Sequence, residues 1–177
     1  MCDLRGFTTL ADRAPVGEVV AALDVYFEHM ATAIEAHGGE ILKFIGDAVL
    51  AIFPIDAEGA QGPCRRALQA ARAALASMAA WNAERATAGA APLGLGIGLH
   101  VGDVMYGNVG ARERLDFTVI GAAVNEVSRV EGLCKTVGVP LLVTGAFAAA
   151  ADDASLVSVG EHALRGVGAP QELFTSR

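Results

Sequence analysis

The 177-residue sequence predicts one α+β domain, with a largely antiparallel sheet and helices packed on it. Three observations carry this expectation. In Gly38–Pro54, two short apolar runs rich in Ile, Val and Phe flank Gly46-Asp47, a pair suited to a type II′ turn, so the stretch reads as a β-hairpin. Segments with helical apolar spacing precede and follow it. Further strand-like runs continue to the C-terminus, with no linker, repeat or charge block to divide residues 1–177.

Composition narrows the class. A hydrophobic content of 53% with 19% charged residues excludes a disordered chain. No apolar run approaches the roughly 20 residues that span a bilayer, and Met1–Arg5 opens onto no signal-peptide core, so a cytoplasmic domain is expected. The net charge of −7 argues against a nucleic-acid or anionic-membrane partner, which would reward a basic face. Cys2, Cys64 and Cys134 are widely spaced without a CxxC pair and read as free thiols, while the four histidines fall in no metal-ligand spacing.

Taken in order, Asp3–Leu10 reads as a strand end turning through Gly6 into a short helix. After Pro15, Val16, Val20, Leu23, Phe27, Met30 and Ile34 recur at spacings of three and four, predicting a helix that packs on the sheet and stops at Gly38-Gly39. The hairpin follows. An Ala-rich helix is expected from about Glu58 to Ala88, then a second, glycine-rich hairpin over Leu93–Gly110, whose glycines fit neither GxGxxG nor a P-loop and read as turns and close backbone approaches. A helix over about Gly121–Val137 places Asn125 and Arg129 four apart on one face. Val139–Thr144 predicts a strand, Gly145–Ala151 a short helix, Leu156–Val159 a strand, and the tail to Phe174 an edge strand.

Asp3 at a strand end and Asp47 at a hairpin tip converge if their strands are neighbours. Paired carboxylates with open coordination positions suit Mg²⁺, which takes one or two carboxylates and leaves the rest to phosphate and water. Lys43 interrupts the first apolar run of the hairpin. Arg5, Asp103 and Asp116 are expected to face solvent.

Four stretches in this order, Asp3–Thr8, Leu42–Asp47, Gly98–Gly102 and Phe117–Arg129, resemble the catalytic domain of class III adenylate/guanylate cyclases, and the resemblance runs essentially end to end. It implies a ferredoxin-like core and an active site formed between two such domains, hence a homodimer. Asp3 and Asp47 match the metal-binding aspartates of that family, with the backbone at Leu4 completing the site and the backbone at Gly6, Phe7 and Thr8 against the phosphates. Lys43 and Thr118 match the pair that reads the base, Asn125 the residue that orients the ribose, Arg129 the cation on the pentavalent phosphate, and Arg165 a triphosphate contact. The two metal-binding aspartates would come from one subunit and the other side chains from its partner. The implied reaction is ATP to 3′,5′-cyclic AMP and pyrophosphate with two Mg²⁺ or Mn²⁺ ions per site, in a module that a sensor or membrane domain commonly precedes. Lys43 only donates, which matches adenine N1 and opposes guanine.

Two departures stand out. The family's first strand carries several apolar residues before its aspartate, whereas Asp3 lies two residues from the start, which predicts a loosened Asp3 and a weakened enzyme or a piece of a longer chain. A nucleotide-binding or dimerisation module without catalysis is the alternative function. Gly96 stands where vertebrate-type members carry a phosphate-binding Arg, leaving that work to Arg129 and Arg165.

Overall fold

A computed structural model describes residues 1–111 and 114–176, with backbone alone for 109–111 and 114–117. The chain runs β1 (Cys2–Arg5), α1 (Phe7–Arg13), α2 (Val16–Ala36), β2 (Glu40–Ile45), β3 (Ala48–Ile52), α3 (Gln61–Thr87), β4 (Gly94–Leu99), β5 (Met105–Ala111), β6 (Arg114–Ile120), α4 (Ala122–Val137), β7 (Leu141–Thr144), α5 (Gly145–Ala151), β8 (Leu156–His162) and β9 (Gln171–Ser176). Seven strands form one sheet in the order β2-β3-β1-β4-β7-β9-β8, antiparallel except for the β4–β7 pair, and β5 and β6 form a separate ribbon. The order β2-β3-β1-β4, with helices between β1 and β2 and between β3 and β4, is the ferredoxin-like arrangement.

The sheet is covered on both faces, as the alternation along β7 shows. Leu141 and Val143 join the larger core with Tyr26 and Met30 of α2, Leu68 of α3 and Phe147 of α5, whereas Leu142 between them joins Val130 and Cys134 of α4 and Leu173 of β9. Buried area drives this two-sided packing. In α4 the stop is Gly138, left-handed at φ +79, whose N–H bonds to the Cys134 carbonyl.

β1 is short but central. It pairs with β3 at Cys2↔Val49 and Asp3↔Ala48, and with β4 from Cys2↔Ile97 to Arg5↔Gly94. Met1 exchanges backbone hydrogen bonds with Gly98, so Asp3 is held from both sides rather than loosened. The β2–β3 turn has Gly46 at φ +63 with no positive φ at Asp47, as a type II′ turn requires.

Several elements differ from the sequence expectation. β4 and β5 form no hairpin: β4 is engaged by β1 and β7 on its two edges, which leaves β5 to pair with β6, a strand the sequence reading did not assign. β9 lies between β7 and β8, so β8 is the edge strand; the tail reaches inward because Leu173 is fully buried. α3 begins at Gln61, after an Asp56–Gly59 turn. In α2 the stripe is rotated at its N-terminal end, where Val19, Ala22 and Tyr26 are buried and Val16 and Val20 are 79% and 48% exposed.

The glycines of β4 set how closely α4 approaches. A Cβ on Gly98 would stand 2.7 Å from the Glu131 amide nitrogen and 2.8 Å from the Val127 carbonyl oxygen, both backbone atoms of α4. Gly98→Ala should therefore cost about 1–3 kcal/mol by overpacking, and lower the melting temperature by about 2–4 °C per kcal/mol. Gly107→Ala, with nothing within 4 Å of its added carbon, serves as the comparison and should melt near the parent temperature.

Candidate active site

Asp47 closes the β2–β3 turn, and the next residue, Ala48, is the register partner of Asp3. The two carboxylates therefore meet. Asp3 is half-buried, and its carboxyl is pushed above the ordinary range chiefly by burial, then by the charge of Asp47 and a hydrogen bond with it, while Arg5 acts in the opposite sense. Like charges brought together at a partly desolvated position need a proton or a cation between them. The donors are all oxygen, which suits a hard divalent ion. No group of three or more His, Cys, Asp or Glu converges among the described residues. Leu4 buries its side chain, so only its backbone can face this site.

Gly6 turns the chain out of β1 at φ +83 and opens α1, whose N-terminus has no side-chain cap. The backbone of Phe7 and Thr8 thus begins a helix next to the carboxylates, with amide donors left over for an anion.

The remaining predicted residues lie elsewhere. Lys43 sits on β2, half-buried opposite Leu50, and the β5–β6 ribbon folds back against β2, tied there by Tyr106 Oη donating to Glu40 Oε2 at 3.3 Å. Thr118, half-buried on β6 opposite Gly107, is carried toward β2 by this ribbon. Asn125 is exposed on the first turns of α4, and the Arg129 guanidinium rests against Gly166, its Nη2 3.5 Å from where a Cβ would stand. Arg165, next to that glycine, is exposed. Among the described residues, no hydrogen bond or ion pair joins Asp3 or Asp47 to Asn125, Arg129 or Arg165. Asn125 and Arg129 on α4 and Arg165 before β9 thus lie on other elements than Asp3 and Asp47, whereas Lys43 shares the β2–β3 hairpin with Asp47.

Asn125 lines a depression with Val119, Gly121 and Val124. A cavity of about 610 Å³ is lined by residues such as Val49, Phe53, Ile97 and His100, with none of the predicted site residues in its wall. Exposed apolar side chains border both sets instead: Phe44 and Ile45 beside Lys43 and Asp47, and Met105 opposite Ile120 at the end of the ribbon. Each half is an open, apolar-rimmed surface.

The sequence reading placed Arg5 in solvent, and the structure corrects it. Arg5 Nη1 donates to Asp3 Oδ2 at 3.1 Å, and Nη2 donates to the Glu131 carbonyl at 2.9 Å and pairs with the Glu131 carboxylate. Glu131, 6% exposed, was not singled out, although it lies four residues after Val127 and three before Cys134, within the sheet-facing stripe of α4. A charge in such a stripe demands a partner, and that was the available signal. Asp103 is exposed as expected; the side chain of Asp116 lies outside the described residues.

Comparison with known proteins gives a consistent result. Residues 1–175 match the family profile described as "Adenylate and Guanylate cyclase catalytic domain". The chain is 39% identical over 147 residues to an adenylate cyclase of Anabaena cylindrica and 36% identical over 154 residues to adenylate cyclase 1 of Rhizobium meliloti, covering 81% and 85% of this chain. It spans only 28% and 23% of the length of those two relatives. Among solved structures, the adenylyl cyclase CyaB from P. aeruginosa superposes with a TM-score of 0.89 at 26% identity, covering 99% of this chain and 90% of that one. The guanylyl cyclase Cya2 superposes with a TM-score of 0.82 at 30% identity, covering 98% and 87%.

Proposed function

This chain belongs to the adenylate and guanylate cyclase catalytic-domain family, and from that premise we propose that it converts ATP to 3′,5′-cyclic AMP and pyrophosphate at sites shared between two copies of itself. The observation that carries the proposal is the meeting of Asp3 and Asp47 across the β1–β3 register. Held by these carboxylates and the Leu4 backbone, Mg²⁺ or Mn²⁺, two ions per site, would supply charge neutralisation at the triphosphate and acidify the ribose 3′-hydroxyl.

The chain's own groups divide the rest of the work. The amides at Gly6, Phe7 and Thr8 bind phosphate oxygens. Asn125 orients the ribose, so that its 3′-oxygen lies in line with the α-phosphorus. Arg129, planar and permanently charged, takes up the charge that grows on the α-phosphoryl oxygens, and Arg165 holds the far end of the triphosphate. Lys43 donates to adenine N1, with Thr118 beside it. No side-chain nucleophile is required, because the substrate's own hydroxyl attacks.

The placement of Asn125, Arg129 and Arg165 on other elements than Asp3 and Asp47 supports sharing between subunits. Within one chain, Asp3 and Asp47 make no hydrogen bond or ion pair with Arg129 or Arg165 among the described residues, and Phe44, Ile45, Met105 and Ile120 are exposed. A two-fold pairing of such surfaces would bury the apolar rims and build two identical sites. The relatives' greater length supports a place for this domain beside regulatory segments in a longer protein. No helix among the described residues is long and apolar enough to cross a membrane.

Incubating the purified chain with Mn²⁺ and either ATP or GTP tests the proposal. Equimolar cyclic AMP and pyrophosphate from ATP is the expected result; nucleotide binding without either cyclic product would favour a non-catalytic module.

A further inference from the structure

The β4 glycines do more than let a helix approach. Gly94, Gly96 and Gly98 alternate onto one face of the strand. A Cβ on Gly96 would stand 2.7 Å from Arg5 Nε and 2.5 Å from Glu131 Oε1, and one on Gly94 would stand 3.0 Å from Arg5 Cβ. The missing side chains form a trough, and the Arg5 side chain fills it. Its guanidinium is thereby clamped on α4, by the buried Glu131 carboxylate and the Glu131 carbonyl, and its remaining arm holds Asp3 Oδ2.

We propose that Arg5 is a positioning residue for Asp3, and that Gly96 and Arg5 form a matched pair which places one guanidinium between Glu131 and Asp3. An arginine at position 96 would put its guanidinium into the same space from β4, so positions 5 and 96 are alternative origins for a single charge. The clamp fixes Oδ2 of a carboxyl that also hydrogen-bonds with Asp47, and so would set the orientation in which Asp3 meets a cation. A lysine at position 5 could not do this, since bridging three acceptors on two elements requires the planar fork.

This inference rests on the reading of Asp3 as a metal ligand, and the test separates the two. Mn²⁺ affinity is measured by electron paramagnetic resonance in the presence of an ATP analogue that cannot cyclise, with the melting temperature recorded for each variant. Arg5→Met should weaken Mn²⁺ binding about tenfold, the lower end of what loss of a ligand's supporting partner costs, and should lower the melting temperature by leaving Glu131 buried and unpaired. Arg5→Met with Glu131→Leu should regain the melting temperature but not the Mn²⁺ affinity. Arg5→Ala with Gly96→Arg should regain both. Arg5→Lys should keep most of the stability and still bind Mn²⁺ weakly.

If the Met/Leu pair or Arg5→Lys binds Mn²⁺ as tightly as the parent, the role of Arg5 is structural and the proposal is overturned. Asp3→Ala gives the separate control. Parent-like Mn²⁺ binding in that variant overturns the assignment of Asp3 itself, whereas loss there with no effect at Arg5 overturns only the positioning role.

Discussion

Asp47→Ala and Arg129→Ala chains, each inactive alone, should recover roughly a quarter of the parent rate when mixed in equal amounts. Random pairing makes half of the dimers mixed, and each mixed dimer rebuilds one of its two sites, so about a quarter of all sites are intact. Arg129→Ala alone should lose about 10²–10³ in turnover, the usual cost of removing one donor aimed at developing charge. Asp47→Ala should lose more, because it unmakes the carboxylate pair on which the cation depends. The basis is the placement of the two residues: Asp47 lies at the β2–β3 turn and Arg129 on α4 against Gly166, with no hydrogen bond or ion pair between them among the described residues. Recovery is measured as cyclic AMP formed after mixing, with mixed dimers verified by differently tagged chains. No recovery in verified mixed dimers would show that each site is built within one chain.

The base preference carries the second large effect. Lys43 presents only donors, whereas adenine N1 accepts and guanine N1 donates. A buried group left unpaired costs about 1–3 kcal/mol, and about 1.4 kcal/mol is a factor of ten. ATP should thus exceed GTP by roughly tenfold to a hundredfold in kcat/KM. Lys43→Glu should erase or invert that ratio. Thr118→Ala should lower turnover with little change in the ratio, because a hydroxyl can donate to or accept from either base. Both relatives and structural neighbours include adenylate cyclases, but a guanylyl cyclase superposes nearly as well, so fold likeness does not decide the base. Equal kcat/KM for ATP and GTP in the parent would remove Lys43 from base reading.

Much of this was legible in the sequence because it is local. The Gly46-Asp47 turn, the stop of α2 at Gly38-Gly39 and the i, i+4 placement of Asn125 and Arg129 depend on a few neighbouring residues, and the structure has each of them. The convergence of Asp3 with Asp47 needed one tertiary assumption, that their strands are neighbours, and the register supplies it. Pairing beyond neighbours was not legible. Nothing in Leu93–Gly110 says that β4 is claimed by β1 and β7, so sequential proximity wrongly predicted a hairpin with β5. Likewise Leu173 looks like any edge-strand leucine until β8 lies outside it.

Arg5 was misread for a related reason. Charge in a short segment between a strand and a helix usually faces water, and its true surroundings are set by Glu131, 126 positions away, and by the empty face of Gly96. The glycines of β4 were read as close backbone approaches, which holds for Gly98 against α4. At Gly96 the space is occupied by a side chain from another strand, a use of glycine that only the tertiary structure reveals.

The central claim is a divalent-cation site on Asp3 and Asp47 of one subunit serving a nucleotide held by the cations of the other. Crystals of the chain grown with Mn²⁺ and an ATP analogue that cannot cyclise, measured at the manganese absorption edge, test it most directly. The account predicts anomalous peaks bounded by the Asp3 and Asp47 carboxylates, with the triphosphate leading across a two-fold interface to Lys43 and Arg129 of the other copy. Manganese bound away from both aspartates, or a nucleotide whose contacts all come from one chain, would contradict it.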